Sequence, residues 1–265
     1  MRSREAFEGA VEDDEPVRGD LLGADAGPEP HLVEESVDRT PHRRILLAAG
    51  QSHKDSLERL AAVAEDVPHE RLESRQILDP PPTLPVEVDP DDPLSHKRLV
   101  EEEAVRIVRR RGDLIITETT HGFVCANSGV DLSNVEHGRA ALLPKDSDRS
   151  ARRIRDIVRA RLGVDVGVIV SDTFGRAWRK GLTDVAIGVA GIAAVVDLRG
   201  TPDALGRTMQ VTEVAVADEL ASAAELVMGK ASGIPVAVVR GADTAWFRES
   251  SVRELIRPPQ EDLFR

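Results

Sequence analysis

The sequence predicts an α+β domain, or a mixed α/β one, with helices packed on mixed sheets. Three observations favour this class. Short apolar runs typical of buried strands recur between segments with helical spacing. Glycines follow those helical segments, where they can end a helix. Hydrophobic residues make up 41% of the chain and charged residues 31%, which is ordinary for a globular protein.

The expected elements follow from these periodicities and from the residues that cap or interrupt them. The prolines of segment 79–93 exclude a helix there, because proline lacks an amide donor and biases its predecessor toward extended backbone. In chain order we expect a helix at 55–66, a helix at 95–111, strands at 114–117 and 122–127, a helix from 147 or 148 to 162, a strand at 164–170, one bent strand or two at 184–198, a helix at 212–228 and a strand at 234–239.

Composition divides the 265 residues into two parts. Residues 1–95 carry a net charge of −13 and eleven of the sixteen prolines, whereas residues 96–265 carry a net charge of +1. A chain so acidic and so poor in apolar periodicity buries too little surface to offset its entropy. We therefore expect residues 1–85 to be a divergent, partly disordered segment, with 11–36 its loosest stretch, and residues 86–265 to form the packed domain.

Several classes of protein are excluded or disfavoured. Cys125 is the only cysteine, which excludes an internal disulfide framework and a Cys-rich zinc site. No apolar run approaches the roughly 18 residues that span a bilayer, and the N-terminus lacks the apolar core of a signal peptide. Tyrosine is absent and aromatic residues total 3%, which disfavours a base-stacking surface. We expect a cytoplasmic protein without nucleic-acid or membrane partners.

The strongest local signal is the stretch VGVIVSDTFGRAWR, in which a buried strand ends in polar residues. Asp172 and Thr173 form a pair of hard-oxygen donors suited to Mg²⁺ or Mn²⁺ at a strand end, where open sheets place ligands. Arg176 and Arg179 could meet phosphate or carboxylate oxygens through forked donors. A capped turn with solvated arginines is an equally good interpretation of this segment alone.

Two further segments add candidates. In HGFVCANSGVDLSNV, Asp131 and Asn134 can share one side of a turn, although a purely structural Asx turn is favoured in isolation. In LVMGKASG, glycines free the backbone to approach a ligand and Lys230 offers a positive charge, although a glycine helix cap with an exposed lysine is the simpler interpretation. Cys125 and His121 lack partners for nucleophilic or zinc chemistry, so both are expected to be structural.

Taken together and in order, four segments resemble the coenzyme F420-0:γ-glutamyl ligase family over about residues 86–240. They are HGFVCANSGVDLSNV, VGVIVSDTFGRAWRKGLTDVAIGVAG, VTEVAVADELASAAELVMGK and GIPVAVVRG, and the tail EDLF also fits. The resemblance implies an α+β fold, a homodimer and a GTP-dependent ligase that couples L-glutamate to coenzyme F420-0, first as an amide and then through γ-linkages. It also implies an acyl-phosphate intermediate, Mg²⁺ or Mn²⁺, and K⁺ as a further cation.

The resemblance assigns roles to particular residues. The family's metal ligands fall on Asp131, Asp172 and Thr173. Arg176 and Arg179 are the candidate catalytic cations on the local signal described above, without a role from the resemblance. The nucleotide-contacting positions are Asn134, Met228, Gly229, Lys230, Ala231, Ser232, Gly233 and Ile234.

Two departures from the family pattern bear on activity. Lys230 stands where some relatives carry an acidic metal ligand, and no lysine occurs between Lys54 and Lys97, where the family places a phosphate-contacting one. The first 80 or so residues either diverge truly from the family or result from another reading frame or start codon. Three functions stay open: an active ligase, for which we expect weak GTP binding and low activity; a relative that binds without turnover; and a metal-dependent phosphohydrolase.

Overall fold

The computed structural model describes residues 44–49 and 85–263, all within one compact unit, Pro41–Arg265. The expected helix at 55–66 and the loose segment at 11–36 lie outside the described residues. Helices and strands are mixed as in an α+β protein, which confirms the predicted class. No helix in these two ranges is long and apolar enough to cross a membrane.

A four-stranded sheet forms the centre of the molecule. Its strands are β1 (Arg44–Ala49), β7 (Val166–Arg176), β8 (Arg179–Ala190) and β11 (Val236–Val239), in the order β11-β1-β7-β8. Strand β1 runs parallel to β7, and the other neighbours are antiparallel. The strands are almost continuously apolar at their buried ends because both faces of the sheet are covered.

Two helices cover the opposite faces of this sheet. Helix α2 (Ser147–Leu162) contributes Ala151 and Val158 to one core. Helix α3 (Val216–Met228) contributes a row of small side chains and Met228 to the other. Helix α2 approaches β8 so closely that a Cβ on Gly188 would lie 2.4 Å from the Ser147 backbone. The close approach explains why a glycine occupies this position of the strand.

The remaining strands form smaller sheets beside the central one. A three-stranded sheet consists of β3 (Ala104–Arg111), β4 (Leu114–Thr119) and β5 (Val124–Ala126). It packs next to helix α1 (Pro93–Glu102) around Val100 and Ile115. Two-stranded sheets pair β2 (Val86–Glu87) with β6 (Arg139–Ala140) and β9 (Val196–Asp197) with β10 (Glu213–Val214). One-turn 3₁₀ helices lie at Asn127–Gly129, Thr244–Trp246, Val252–Leu255 and Pro259–Glu261.

Most expected elements of the packed domain are present, but one helix prediction is wrong. The structure ends helix α1 at Glu102 and places 104–111 in a strand. Branched residues favour extended backbone, and Gly112 at φ 61° turns the chain so that β3 pairs with β4. Arg106 on β3 is bonded to Glu118 on β4, a pairing that local helical spacing does not reveal.

The central sheet contains a strand that the sequence analysis did not identify. Strand β1 pairs with both β7 and β11, and its residues Ile45, Leu46 and Leu47 are buried in the two cores. At least this part of residues 1–85 therefore belongs to the folded unit. The domain boundary at residue 86 stays a prediction for the rest of the segment.

Candidate functional site

The site begins where strand β7 changes from apolar to polar. Asp172 pairs with Val185 on β8, and Thr173 pairs with Asp184. Successive strand residues point to opposite faces of a sheet. Asp172 therefore lies on the face covered by α2, whereas Thr173 and Asp184 lie on the face covered by α3. The register of one hairpin thus distributes three oxygen-bearing side chains over two faces.

The carboxylate of Asp184 is held by two hydroxyl groups. Ser171 donates to one of its oxygens at 2.9 Å, and Thr173 donates to the other at 2.7 Å. Helix α3 adds a further bond, because Ser222 donates to the Asp184 carbonyl at 2.8 Å. A buried carboxylate with such partners is rigid, and here it also fixes the orientation of the Thr173 hydroxyl.

Asp172 is also buried but has fewer donors. The Thr173 amide donates to its carboxylate at 2.8 Å. Burial raises the pKa of Asp172 to about 7; the amide bond and the charge of Lys230 oppose this rise, whereas Asp131 and Asp184 add to it. A carboxyl group with this pKa is partly protonated at neutral pH, so a nearby cation would favour its ionised form.

Asp131 reaches the site from the loop after β5. Its backbone pairs with Ala141 through two hydrogen bonds, and its carboxylate accepts from Ser133 through both the amide and the hydroxyl group. Asn134, at φ 54°, turns the chain in the same loop. Its side-chain amide donates to the carbonyl of Lys230 at 3.3 Å. Two segments that lie 96 residues apart in the chain are therefore in direct contact.

Lys230 lies close to both the turn that carries Asp131 and the Asp172–Thr173 pair of strand β7. Helix α3 ends at Met228, and Gly229 at φ 64° redirects the chain so that the lysine points toward the sheet. Its Nζ lies 3.8 Å from an oxygen of Asp131 and 3.5 Å from the hydroxyl of Thr173. Asp131 and Thr173 thus both lie close to one nitrogen atom. The Met-Gly-Lys segment, the Asp-Thr pair and the Gly-Val-Asp turn meet in one place.

The donor chemistry suits one hard cation. Asp131, Asp172 and Thr173 offer only oxygen atoms, the ligands that Mg²⁺ and Mn²⁺ prefer. Within 44–49 and 85–263, no three His, Cys, Asp or Glu side chains are close enough together to hold a metal. The usable set is therefore two carboxylates and a hydroxyl group, which leaves room for ligands from water or substrate.

The other expected site residues lie around this centre. Arg176 and Arg179 face each other at the exposed tip of the β7–β8 hairpin, and Arg176 donates to the Lys180 carbonyl. The Met228 side chain is buried in the core with Ile169, so only its backbone could meet a ligand. The exposed segment that could contact a nucleotide is residues 229–234. The metal, nucleotide and catalytic roles stay predictions.

Cys125 and His121 are structural, as predicted. Burial raises the pKa of the Cys125 thiol to about 12, and the charge of Asp172 adds to the rise. The protonated thiol is a poor nucleophile. His121 bonds the Pro144 carbonyl at 2.8 Å and the Thr119 hydroxyl at 3.3 Å, and its ring stacks on Phe123.

Sequence reasoning missed two acidic residues near Lys230. Asp184 lies opposite Thr173 in the hairpin, so a correct prediction of the β7–β8 register would have identified it as a neighbour of Thr173. Glu225 lies on the last turn of α3, where burial, with the charge of Asp184, raises its pKa while Lys230 lowers it. The five-residue spacing between Glu225 and Lys230 does not by itself predict that they are close, because their proximity depends on the turn at Gly229.

Comparison with known proteins identifies the family of this chain. The chain belongs to the F420-0:gamma-glutamyl ligase family, whose model matches residues 55–241. The match begins before residue 86, earlier than the sequence resemblance did, and contains Asp131, Asp172, Thr173 and Lys230. These residues therefore lie within the region that defines the family.

The curated relatives are named as enzymes of one kind. Coenzyme F420:L-glutamate ligase of Methanocaldococcus jannaschii is 52% identical over 169 residues, 63% of this chain and 67% of that protein. The ligase of the same name from Methanothermobacter thermautotrophicus is 47% identical over 165 residues, 62% and 66% of the two chains. That of Methanopyrus kandleri is 49% identical over 175 residues, 63% and 69%. The chain thus spans about two thirds of the length of these relatives.

Proposed function

We propose that this chain is a ligase that adds L-glutamate to coenzyme F420-0, using GTP. The observation that carries the proposal is that the Lys230 nitrogen lies 3.8 Å from Asp131 and 3.5 Å from Thr173, while the buried Asp172 senses the charges of both Lys230 and Asp131. Acidic oxygens that hold a metal, beside a lysine that attracts phosphate, form a site suited to phosphoryl transfer. The relatives named above give the substrates by analogy.

The proposed reaction has two steps. A carboxylate oxygen of F420-0 attacks the γ-phosphorus of GTP, which forms an acyl phosphate and releases GDP. The glutamate amine then attacks the acyl carbon, phosphate leaves with its electron pair, and the amine loses a proton. The product gains glutamate less one water, and later additions form γ-linkages.

Each group has a defined task in this proposal. Asp131, Asp172 and Thr173 hold Mg²⁺ or Mn²⁺, which when bound neutralises charge on the phosphate oxygens. Asn134 and the segment 228–234 position the nucleotide. Arg176 and Arg179 bind phosphate or carboxylate oxygens through forked donors. K⁺ as a further cation, a homodimer and a cytoplasmic location belong to the same proposal.

A second candidate is a relative that binds metal and nucleotide without turnover. Its support is the absence of lysine from residues 55–96, where the family places a phosphate contact. A lost charge-assisted contact is worth roughly 1.5–3 kcal/mol, or about 10- to 150-fold in affinity. Correct positioning of the γ-phosphate accounts for much of the catalysis of phosphoryl transfer. The reaction rate would therefore fall by at least the same factor as the GTP affinity.

One incubation separates the candidates. The full chain is mixed with F420-0, GTP, Mn²⁺ and L-glutamate, and F420 species and guanine nucleotides are followed by mass spectrometry. The control reactions omit glutamate or replace Mn²⁺ with a chelator. A gain of glutamate less water that requires both GTP and metal supports the ligase. Loss of GTP alone indicates a phosphohydrolase, and no change supports the non-catalytic relative; either result contradicts the proposed ligase.

A further inference from the structure

We infer that the ammonium group of Lys230 is a built-in cation of this site, which takes the place of a second divalent ion and binds a phosphate oxygen of the nucleotide. The inference rests on the proposed metal and GTP site. It predicts that the chain holds a single divalent metal, and that Lys230 and this metal compete for Asp131.

The first observation is the position of the Lys230 nitrogen. It lies 3.8 Å from an Asp131 carboxylate oxygen and 3.5 Å from the Thr173 hydroxyl. These are two of the three groups assigned to the metal. The ammonium group is therefore close to two of the ligands that the proposed metal would use.

The second observation is the charge around the ammonium group. Lys230 forms an ion pair with Asp131 and interacts electrostatically with Asp172 and with Glu225. Three acidic side chains from three parts of the chain are therefore influenced by the charge of one lysine. Removal of this positive charge would leave the repulsion between Asp131 and Asp172 without compensation.

The third observation is that the backbone of Lys230 is fixed while its side chain is half-exposed. Gly229 ends helix α3, and a Cβ there would lie 2.7 Å from the Ser232 hydroxyl, so the turn requires glycine. The Asn134 amide bonds the Lys230 carbonyl from the other side. An exposed ion pair is weak, so the ammonium can leave Asp131 for a phosphate when a metal binds there.

The proposal makes quantitative predictions for metal binding by the full chain. We expect one Mn²⁺ per chain in the unaltered protein. Lys230→Met removes the competing charge and should bind Mn²⁺ about three- to tenfold more tightly, still at one per chain. Lys230→Glu supplies a carboxylate in the same place and should bind two Mn²⁺ per chain. Lys145→Met removes an exposed lysine elsewhere and should leave Mn²⁺ binding unchanged.

Mn²⁺ binding is measured without nucleotide, by calorimetry and by the electron paramagnetic resonance signal of free Mn²⁺. GTP affinity is then measured at saturating Mn²⁺. Lys230→Met should weaken GTP binding by about tenfold or more because a charged phosphate contact is lost, and Lys230→Arg should retain most of it. Thermal melts check folding, and Lys230→Gln replaces Lys230→Glu if the latter does not fold, with the same expectation as Lys230→Met.

The outcomes distinguish this inference from the proposed function. Two Mn²⁺ in the unaltered chain, or unchanged Mn²⁺ and GTP affinities in Lys230→Met, would overturn the role of Lys230 and leave the ligase proposal standing. If no variant binds Mn²⁺, the proposed metal site and the inference both fail. One Mn²⁺ in the unaltered chain and two in Lys230→Glu would support it.

Discussion

The two faces of the β7–β8 hairpin hold aspartates of similar burial but with different hydrogen-bond partners. Asp172 on the α2 face is 8% exposed, and Asp184 on the α3 face is 3% exposed. Asp184 accepts from two hydroxyl groups, whereas Asp172 accepts from one amide and has its pKa raised to about 7. Burial alone therefore does not show which of the two carboxylates is fully satisfied by hydrogen bonds within the protein.

The difference shows which aspartate needs an external partner. The hydroxyl groups of Ser171 and Thr173 satisfy Asp184 within the protein, so its charge has a structural use. Asp172 lacks such partners, and a bound cation would supply the missing stabilisation. The four predictions below test this contrast, beginning with the largest expected effect.

The strongest test exchanges each aspartate for asparagine. Asp172→Asn should weaken metal-dependent nucleotide binding by more than about 100-fold, since even outer partners of a metal ligand are worth 10- to 100-fold. Asp184→Asn should weaken it by less than about tenfold, because the amide oxygen can still accept from Thr173. Nucleotide binding is measured by calorimetry with and without Mn²⁺. Equal losses in both variants would remove the functional distinction.

The pH dependence of stability tests the same contrast without metal. The folded-state pKa of Asp172 is raised from 3.8 to about 7. The folded chain keeps its proton while the unfolded chain loses it, so this contribution to stability is full below pH 3.8 and is lost as the pH rises to about 7. At about 1.4 kcal/mol per pKa unit, the loss is a few kcal/mol.

The measurement is urea unfolding in the presence of a chelator. The free energy of unfolding of Asp172→Asn, relative to the unaltered chain, should rise between about pH 4 and pH 7 and stay constant above pH 7. A difference that does not change with pH would show that Asp172 is not destabilised by burial.

The hydroxyl group of Thr173 should contribute to stability in addition to its proposed role as a metal ligand. Thr173→Val removes a donor to Asp184 and leaves one buried carboxylate oxygen without it, at a cost of about 1–3 kcal/mol. Thr173→Ser retains the hydroxyl group and should cost less. Chemical denaturation at pH 8 measures both variants. A loss in Thr173→Ser as large as in Thr173→Val would attribute the effect to packing instead.

The smallest effect is expected at Asn134. Its amide makes a single, exposed hydrogen bond to the Lys230 carbonyl, worth about 0.5–1.5 kcal/mol. Asn134→Gly is the suitable variant because the backbone at φ 54° favours glycine. We expect a change in the free energy of unfolding of at most about 1 kcal/mol. A loss of several kcal/mol would mean that this turn supports more of the fold than the structure shows.

The elements that the sequence predicted correctly are those with local signals. Helix α2 is bounded by an Asp146 cap and by Gly163 at φ 67°, and its apolar spacing is visible in the chain. Strand β7 is a continuous apolar run. The helix predicted at 95–111 was wrong because its second half pairs with β4, and pairing between strands overrides a local helical pattern.

The sequence alone indicated five candidate site residues: Asp131, Asp172, Thr173, Asn134 and Lys230. Each belongs to a local motif, namely a pair of hard-oxygen donors, a turn or a lysine next to glycine, which can be recognised without the tertiary structure. The tertiary structure decided how they relate. It placed the Lys230 nitrogen close to both Asp131 and Thr173, added Asp184 and Glu225, and inserted β1 beside β7. These contacts join residues far apart in the chain, and only strand register and the turn at Gly229 bring them together. The physical reason is that local propensity fixes which groups a segment offers, whereas burial and charge depend on which distant groups the fold brings beside them.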